Sequence, residues 1–356
     1  MTIVATPADD LEGQVLDSGW VIGPKIGKKK GGTGANFGVC YSATRGGDLA
    51  FMKAVDFRTA LAHSDPLQAM LALSTELTWE KDALEFCAEQ GLSKIVRLIS
   101  HEYFNPPGTT DPAMRVSCLV MEVGAGDLRG ELSVNAQRPF SWVLAVMRDV
   151  CLAVDQLHRK GVCHLDVKPS NVIAMDSSNC ESVPVKLGDL GRVVRKGVTG
   201  PFDSFNWPGD RGYQPPEKWY AFRCENWNDE REAGDAFLIG SLFVFLITQI
   251  PMSTLIYNEL PDPYKPELYR GIFNEELISV LRLAQVRVLN AHVIPALPSA
   301  FRNELEKMLL ELTHPDPRVR GNTQARKSGV IGIDRYHQRW YQMARRMKYD
   351  ESRVAI

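Results

Sequence analysis

The residues best suited to chemistry lie near the middle of the chain, in the string HLDVKPSN at 164–171. Asp166 supplies an acid, Lys168 a cation two residues later, and Asn171 a side-chain amide. Phosphoryl transfer needs an acid that orients the attacking hydroxyl and accepts its proton, and oxygen ligands that hold Mg²⁺. A nearby lysine can neutralise charge on the moving phosphate. An acid, a cation and an amide within eight residues are groups that this chemistry uses.

Two other charged residues stand in apolar, strand-like surroundings. The string KLGDLG contains Asp189, an acid that follows a short strand-like run. Further upstream, LAFMKAV places Lys53 among apolar residues, where an ammonium is costly to bury without a negative partner. We expect this partner at Glu80 on the following helix, and Glu76, one turn earlier on the same face, is the alternative.

In chain order, LAFMKAV, HLDVKPSN and KLGDLG, the three strings resemble the eukaryotic-like (Hanks-type) Ser/Thr protein kinase family. HLDVKPSN is similar to its catalytic loop, KLGDLG to its DFG element, and LAFMKAV to the strand that carries its ATP-binding lysine. Later strings extend the resemblance. GDRGYQPPE at 209–217 is similar to the end of the family's activation segment, with PPE in place of APE, and it ends at Glu217. DAFLIG begins at Asp235, and DPRVR contains Arg320. The family pattern implies a Glu217–Arg320 pair and an Asp235 that anchors the catalytic-loop backbone.

The resemblance implies transfer of the γ-phosphate of ATP, with Mg²⁺, to Ser or Thr hydroxyls of a protein substrate. In this scheme the acid of the catalytic loop orients the acceptor, and the strand lysine fixes the α- and β-phosphates. The implied catalytic residues are Asp166, Lys168, Lys53 and Glu80, and the implied metal ligands are Asn171 and Asp189.

The same resemblance places the nucleotide. GTGANFGV, with Gly32, Gly34 and Gly38, is similar to the phosphate-covering loop but has one extra residue before the last glycine, and no GK[ST] follows it as in a P-loop. LVMEV is similar to the segment that joins the two lobes. It implies Met121 at the back of the adenine pocket, adenine on the backbone of Glu122 and Val123, or Gly124, and ribose near Asp127.

Three residues depart from the family pattern. Leu165 replaces an arginine that usually receives a phosphate on the activation segment, so we expect that such phosphorylation is not the main switch. Asp210 replaces a common threonine, and it would either pair with Lys168 and alter acceptor choice or slow catalysis. Phe51 replaces a small residue over adenine, where a ring would stack on the base or narrow the pocket.

The elements around these residues predict an α+β, protein-kinase-like fold with two lobes. Strand patterns and one main helix, at 66–89, predict a small N-lobe with an antiparallel sheet, and later helical patterns predict a larger, mainly helical C-lobe. The predicted units are an N-terminal extension at 1–19, a kinase domain at 20–325 with lobes 20–123 and 124–325, and a basic tail at 326–356.

Two segments need separate interpretation. The apolar run at 236–250 is shorter than the roughly 20 residues that span a bilayer, which favours a buried core helix. The tail has Tyr336, Trp340 and Met343 at helical spacing. This pattern predicts packing against the large lobe, with docking to a membrane surface or a partner as the alternative.

Composition limits the function further. With 44% hydrophobic and 24% charged residues the chain is typical of soluble globular proteins, and a net charge of −2 offers no bulk attraction for nucleic acid or anionic membranes. Seven dispersed cysteines without a CxxC pair predict free thiols in a reducing compartment. The opening MTIVATPADD lacks the features of a secretion signal. We expect a cytoplasmic protein with a protein substrate, no nucleic-acid partner and no membrane span.

Two alternatives to an active protein kinase remain. A pseudokinase that serves as a scaffold is favoured by Asp210, Phe51 and the irregular glycine loop, but not by the intact catalytic set. A small-molecule phosphotransferase of the aminoglycoside or choline kinase type also shares an HxDxxxxN loop. Such enzymes lack the PPE-type segment and the later Asp and Arg elements that this chain contains.

Overall fold

The computed structural model describes residues 6–27, 38–108, 111, 114–134, 138–175 and 184–354. Within these residues, a five-stranded antiparallel sheet and one long helix form the N-lobe, and most of the remaining helices form the C-lobe. The predicted two-lobed α+β fold is confirmed.

The N-lobe sheet has the strand order β1-β2-β3-β5-β4. Its strands are β1 (Val21–Lys25), β2 (Val39–Arg45), β3 (Asp48–Asp56), β4 (Leu98–Phe104) and β5 (Val116–Glu122). Successive side chains of a strand point to opposite faces. On β3, Met52 and Ala54 therefore enter the core on the outer face, whereas Lys53 and Val55 line the cleft between the lobes.

The described part of the N-terminal segment covers the outer face of this sheet. Leu11, Leu16 and Trp20 are buried there in the same cluster as Met52. The hydroxyl of Tyr41 donates to the carbonyl of Ala8 at 2.8 Å. The sequence predicts a polar lead-in here, because exposed polar residues separate the apolar ones. In the structure those apolar residues belong to the core of the N-lobe.

The N-lobe also contains α1 (Arg58–Leu61) and the long helix α2 (Pro66–Glu89), which has the predicted bounds. Asp65 caps α2 by accepting the N–H of Gln68 at 3.1 Å. The cleft-facing side of α2 carries Leu73, Glu76, Leu77 and Glu80. This helix therefore brings the predicted partner of Lys53 to the site.

The C-lobe is mainly helical. Its helices are α3 (Leu128–Val134), α4 (Phe140–His158), α5 (Ala233–Thr248), α6 (Met252–Glu259), α7 (Glu275–Val288), α8 (Arg302–Leu312) and α9 (Ile333–Val354). Short strands lie between them: β6 (Gly126–Asp127), β7 (Val162–Cys163), β8 (Val172–Ala174), β9 (Val185–Leu187) and β10 (Val194–Arg195). The β6-β8-β9 and β7-β10 sheets support the loops that carry the site.

Helix α5 contains most of the apolar run at 236–250. Every residue from Ala233 to Leu246 is buried, so the prediction of a core helix is confirmed. Among the described residues, length and composition make one helical stretch, Glu275–Ala296, compatible with crossing a membrane, although 44% of its most apolar window is buried. The helix pair Asn228–Thr248 and Met252–Glu259, bent by 84°, would be a second if it formed one span. The absence of a membrane span therefore stays a prediction.

Helix α9 packs back on the C-lobe through the apolar face of the basic tail. Tyr336, Trp340 and Met343 are fully buried. The ring of Trp340 lies 5.1 Å from that of Phe243 on α5, and the hydroxyl of Tyr336 donates to Glu311 at 2.9 Å. The predicted packing of the tail against the large lobe is confirmed.

Candidate active site

A buried carboxylate on α5 holds the backbone of the catalytic loop, which carries Asp166. Asp235 accepts the backbone N–H groups of His164 and Leu165 at 2.8 and 2.7 Å. Leu165 has φ of 57°, a left-handed conformation that is unfavourable outside glycine and needs such support. The loop is therefore fixed before any ligand binds, as the anchoring role of Asp235 predicts.

Asp166, Lys168 and Asn171 of HLDVKPSN converge. Asn171 donates its amide N–H to the carboxylate of Asp166 at 2.9 Å and to the carbonyl of the same residue at 2.8 Å. Lys168 Nζ lies 3.0 Å from Asp166 Oδ2. The amide nitrogen of Asn171 is thus committed. Its oxygen accepts a long bond from the Ser170 hydroxyl at 3.4 Å and has a second lone pair for a cation.

The activation segment approaches this loop at Gly209 and Asp210. A Cβ on Gly209 would lie 2.0 Å from the carbonyl oxygen of Leu165, so only glycine permits this approach. The backbone N–H of Asp210 donates to Asp166 Oδ1 at 2.8 Å, and its carboxylate accepts from Lys168 at 3.2 Å. The predicted pairing of Asp210 with Lys168 is present.

The DLG element, residues 189–191, positions the carboxylate of Asp189 in the site. Asp189 follows β9 with φ of 57°, and Leu190 after it is fully buried. Behind it, the imidazole of His164 bonds the carbonyl of Gly188 at 3.1 Å, and the N–H of Gly188 donates to the carbonyl of Asn171 at 2.9 Å. These bonds tie the DLG element to the catalytic loop.

Lys53 pairs with Glu80, at 2.9 and 2.8 Å from its two carboxylate oxygens, and lies 4.0 Å from Asp189. The alternative partner, Glu76, lies instead 3.7 Å from Arg192. Trp79, between the two glutamates, donates its indole N–H to the carbonyl of Val193 at 2.8 Å. Helix α2 is thereby held against the segment that follows DLG.

The charges around the cleft shift the pKa values of its acids and of Lys53. Burial alone would lower the pKa of Lys53, but Glu80 and Asp189 outweigh it and raise that pKa. Burial would likewise raise the pKa of Asp189, but Lys53 and other cations lower it. Burial does raise the pKa of Asp166, since Lys168 offsets it only in part. Lys53 therefore stays charged, whereas Asp166 binds a proton more readily than an exposed aspartate.

The residues predicted to contact adenine and ribose lie at the lobe junction. Met121 is buried on β5, opposite Phe51 on β3, which is half-buried. Glu122 donates its N–H to the carbonyl of Arg97, so that N–H is not available for adenine. Val123 is exposed, and Asp127 accepts the N–H of Gly130 at 2.7 Å at the start of α3. Of the predicted loop glycines, Gly38 lies beside β3, and Gly32 and Gly34 fall outside the described residues.

Lys53, Glu80, Asp166, Lys168 and Asp189 share one cavity of about 340 Å³ between the lobes. Neither Asn171 nor any described residue predicted to contact adenine or ribose is part of its lining. Its lining combines the catalytic loop, the DLG element, α2 and the activation segment: Lys53, Val55, Leu73, Glu76, Leu77, Glu80, Asp166, Lys168, Asp189, Gly191, Arg192, Pro208, Gly209 and Asp210. Such a lining can hold a polyanion against lysines while presenting a carboxylate to a hydroxyl.

A buried ion pair fixes the far end of the activation segment. Arg320 Nη2 and Nη1 donate to Glu217 at 2.6 and 2.9 Å, and both residues are almost fully buried. This is the pair that the resemblance implies. Sequence reasoning missed the contacts of Trp79 and His158, because each joins positions far apart in the chain and neither belongs to a recognised string.

His158 gives the site a pH-dependent support. Its imidazole donates to Asp235 Oδ2 at 2.9 Å. Burial would lower the pKa of His158, but Asp235 outweighs it and raises that pKa above the ordinary value of 6.5. A raised folded-state pKa adds stability that is complete below about pH 6.5 and is lost as the pH rises through the folded-state value.

We therefore expect the free energy of unfolding to fall as the pH is raised from about 6 to 9, by about 1.4 kcal/mol for each unit by which folding raises the pKa of His158. His158→Gln should flatten this dependence. Denaturant unfolding across this range measures the effect. His63→Gln, at an exposed position, is the matched control. An unchanged slope in His158→Gln would contradict the assignment.

Comparison with known proteins agrees with the fold. A family profile described as "Protein kinase domain" matches residues 29–326, well over half of the chain. The chain belongs to the protein kinase family.

Its similarity to individual members is distant. "Hormonally up-regulated neu tumor-associated kinase homolog B" from Xenopus laevis is 27% identical over 196 residues, 54% of this chain and 25% of that protein. "Serine/threonine-protein kinase PTK2/STK2" from Saccharomyces cerevisiae is 23% identical over 186 residues, 50% of this chain and 23% of that protein. "Serine/threonine-protein kinase ArnS" from Sulfolobus acidocaldarius is 27% identical over 191 residues, 50% of this chain and 28% of that protein. The chain spans about a quarter of the length of these relatives.

Proposed function

We propose that this protein kinase transfers the γ-phosphate of ATP, with Mg²⁺, to Ser or Thr hydroxyls of protein substrates. The observation that carries the proposal is the convergence of four groups on one cavity: the Lys53–Glu80 pair, Asp166, Lys168 and Asp189. The Ser/Thr preference rests on the KPSN string and on the printed names of two relatives.

The residues fit a magnesium ion. Mg²⁺ prefers oxygen ligands and is commonly held by one or two carboxylates together with phosphate oxygens. Asp189 offers a carboxylate whose pKa is lowered, so it is ionised at neutral pH. Asn171 has its amide nitrogen bonded to Asp166, and its oxygen keeps a lone pair for the ion. Bound Mg²⁺ would neutralise charge on the phosphates.

The chain's own groups have distinct parts in the reaction. Lys53, positioned by Glu80, binds the α- and β-phosphates of the nucleotide substrate. Asp166 orients the acceptor hydroxyl and takes its proton, and its carboxylate is already fixed by Asn171 and the N–H of Asp210. Lys168 offsets charge on the phosphoryl group in transfer. Positioning and electrostatics supply most of the rate enhancement in this chemistry.

The pseudokinase alternative has one observation in its favour. The Asp210 carboxylate binds Lys168 at 3.2 Å and so competes with the phosphoryl group for it. The ion pairs of Lys53 and the bonds between Asp166 and Asn171 favour activity. The small-molecule phosphotransferase alternative receives no comparable support, since the Glu217–Arg320 pair belongs to the protein-kinase pattern. A cytoplasmic location without a membrane span is part of the proposal.

The proposal is tested by incubating the protein with γ-labelled ATP and an acceptor protein that contains serine, threonine and tyrosine. One sample contains Mg²⁺ and the other a chelator. We expect Mg²⁺-dependent label on serine or threonine by phosphoamino-acid analysis. Lys53→Met should reduce labelling on the order of 10²-fold or more, because the phosphates lose their cation.

Lys81→Met, which removes an equal charge from the solvent side of α2, is the matched control and should leave labelling unchanged. Label on tyrosine alone would overturn the Ser/Thr assignment. Nucleotide binding without labelling would establish the pseudokinase alternative.

A further inference from the structure

The acceptor side of the cavity carries an unusual excess of negative charge. Asp166 and Asp210 both face it, and the single cation between them is Lys168, at 3.0 and 3.2 Å. Counting these three groups, the local charge is −1. The neighbouring Glu76 is balanced by Arg192 at 3.7 Å. Lys53 likewise meets two acids, Glu80 and Asp189, which leaves another excess of −1 on the nucleotide side. On the acceptor side the excess resides at Asp166 and Asp210, where an acceptor hydroxyl must enter.

The charge of Asp210 is not required by its hydrogen bonds. Its backbone N–H, and not its side chain, fixes Asp166. Its side chain accepts the N–H of Gly212 at 2.9 Å and the ammonium of Lys168. A neutral amide or hydroxyl oxygen can accept both kinds of bond. What a carboxylate adds at this position is a full negative charge.

The surroundings of Asp210 suit a side chain with an apolar stem and a cationic head. The carboxylate is about a quarter exposed to solvent, at 23%. Leu73, Leu77 and Pro208 line the same cavity and supply apolar surface. Lysine and arginine bury their methylene stems along such surfaces while their charged heads meet an acid.

We infer that Asp210 determines acceptor specificity by selecting protein segments with an arginine or lysine beside the phosphorylated hydroxyl. The inference rests on the proposed function, because it names the substrate class of that same site. Acidic flanking residues are repelled by the same charge, since like charges in a partly desolvated cleft are strongly disfavoured.

Binding of peptides without nucleotide tests the inference separately from catalysis. Three labelled serine peptides differ only in the residues beside the serine: arginine, alanine or glutamate. Fluorescence anisotropy with the full chain should show the arginine peptide bound on the order of tenfold more tightly than the alanine peptide, and the glutamate peptide more weakly.

Three variants locate the effect. Asp210→Asn removes the charge and keeps the shape of the side chain, so it should remove most of this preference. Asp210→Glu keeps the charge and should retain the preference. Asp48→Asn, an equal charge change in the exposed β2–β3 hairpin, should leave it unchanged. If Asp210→Asn is unstable, Asp210→Thr makes the same test.

Equal arginine-to-alanine ratios in the wild type and Asp210→Asn would overturn the inference. The kcat/KM ratios for the same peptides with ATP and Mg²⁺ should follow the binding ratios. Peptides that bind selectively but receive no phosphate would contradict the proposed function and still support selection by Asp210.

Discussion

Replacing Asp166 with asparagine should lower phosphoryl transfer by about 10²- to 10⁴-fold and leave the chain folded. The carboxylate is nine-tenths or more buried, at 5% exposure, and is fixed by Asn171, Lys168 and the N–H of Asp210. An amide keeps the shape of this side chain but cannot accept the proton of the acceptor hydroxyl. The fold survives because Asp235, not Asp166, holds the loop backbone.

Initial rates of γ-phosphate transfer at saturating ATP measure this effect, and circular dichroism checks the fold. Asp82→Asn, on the exposed face of α2, is the matched Asp-to-Asn control and should keep the wild-type rate. The raised pKa of Asp166 adds a second expectation: on acidification the wild-type rate should begin to fall at a higher pH than protonation of an exposed aspartate would require. Transfer by Asp166→Asn within tenfold of the wild type would exclude Asp166 as the base.

The polar contacts of the site were largely predictable from sequence, because each depends on a short string with a chemical requirement. A lysine buried on a strand needs a carboxylate, and Lys53 meets Glu80 on the helix that follows. The choice of Glu80 over Glu76 as this partner depends on the rotation of the helix, since Glu76 lies one turn earlier and reaches Arg192. The bounds of α2 follow from its capping aspartate and proline and from a continuous apolar pattern.

The long-range hydrogen bonds that support the loops of the site were not predictable. Trp79 bonds the carbonyl of Val193, and His158 bonds Asp235, across sequence separations of 114 and 77 residues. Neither tryptophan nor histidine at these positions has a local pattern that distinguishes it from an ordinary core residue. Only the folded packing shows that both support the loops carrying Asp166 and Asp189.

The N-terminal segment illustrates a second limit. Leu11 and Leu16 are separated by the exposed Glu12, Gly13 and Val15 and the half-buried Gln14, so no helical or strand period appears. Their burial depends on the outer face of a sheet whose strands lie later in the chain. Tertiary packing, which a periodicity search does not contain, decides the conformation of such a segment.

The departure at Leu165 has a structural counterpart. Its side chain is fully buried, and a Cβ on Gly234 would lie 3.1 Å from Leu165 Cδ2 and 3.0 Å from the ring of Trp207. An apolar contact between the catalytic loop, α5 and the activation segment thus occupies this position. It gives physical support to the prediction that activation-segment phosphorylation is not the main switch, which stays a prediction.

The largest expected loss of stability follows from breaking the buried pair of Glu217 and Arg320. Arg320→Met should lower the free energy of unfolding by about 3–5 kcal/mol, because Glu217 would keep its charge in a site closed to water. The guanidinium also donates to the carbonyls of Ala233 and His314, at 3.0 and 2.6 Å, which would lose their partner. Chemical denaturation, followed by tryptophan fluorescence, measures the change.

Two further variants separate charge from packing. Arg346→Met, in the exposed pair with Glu304 at 3.7 Å, removes the same charge and should cost less than about 1 kcal/mol. Glu217→Gln combined with Arg320→Met should cost less than the sum of the single changes, because the uncompensated carboxylate is gone. Additive losses would mean that the two side chains contribute separately and that the ion pair is not what secures the activation segment to the C-lobe.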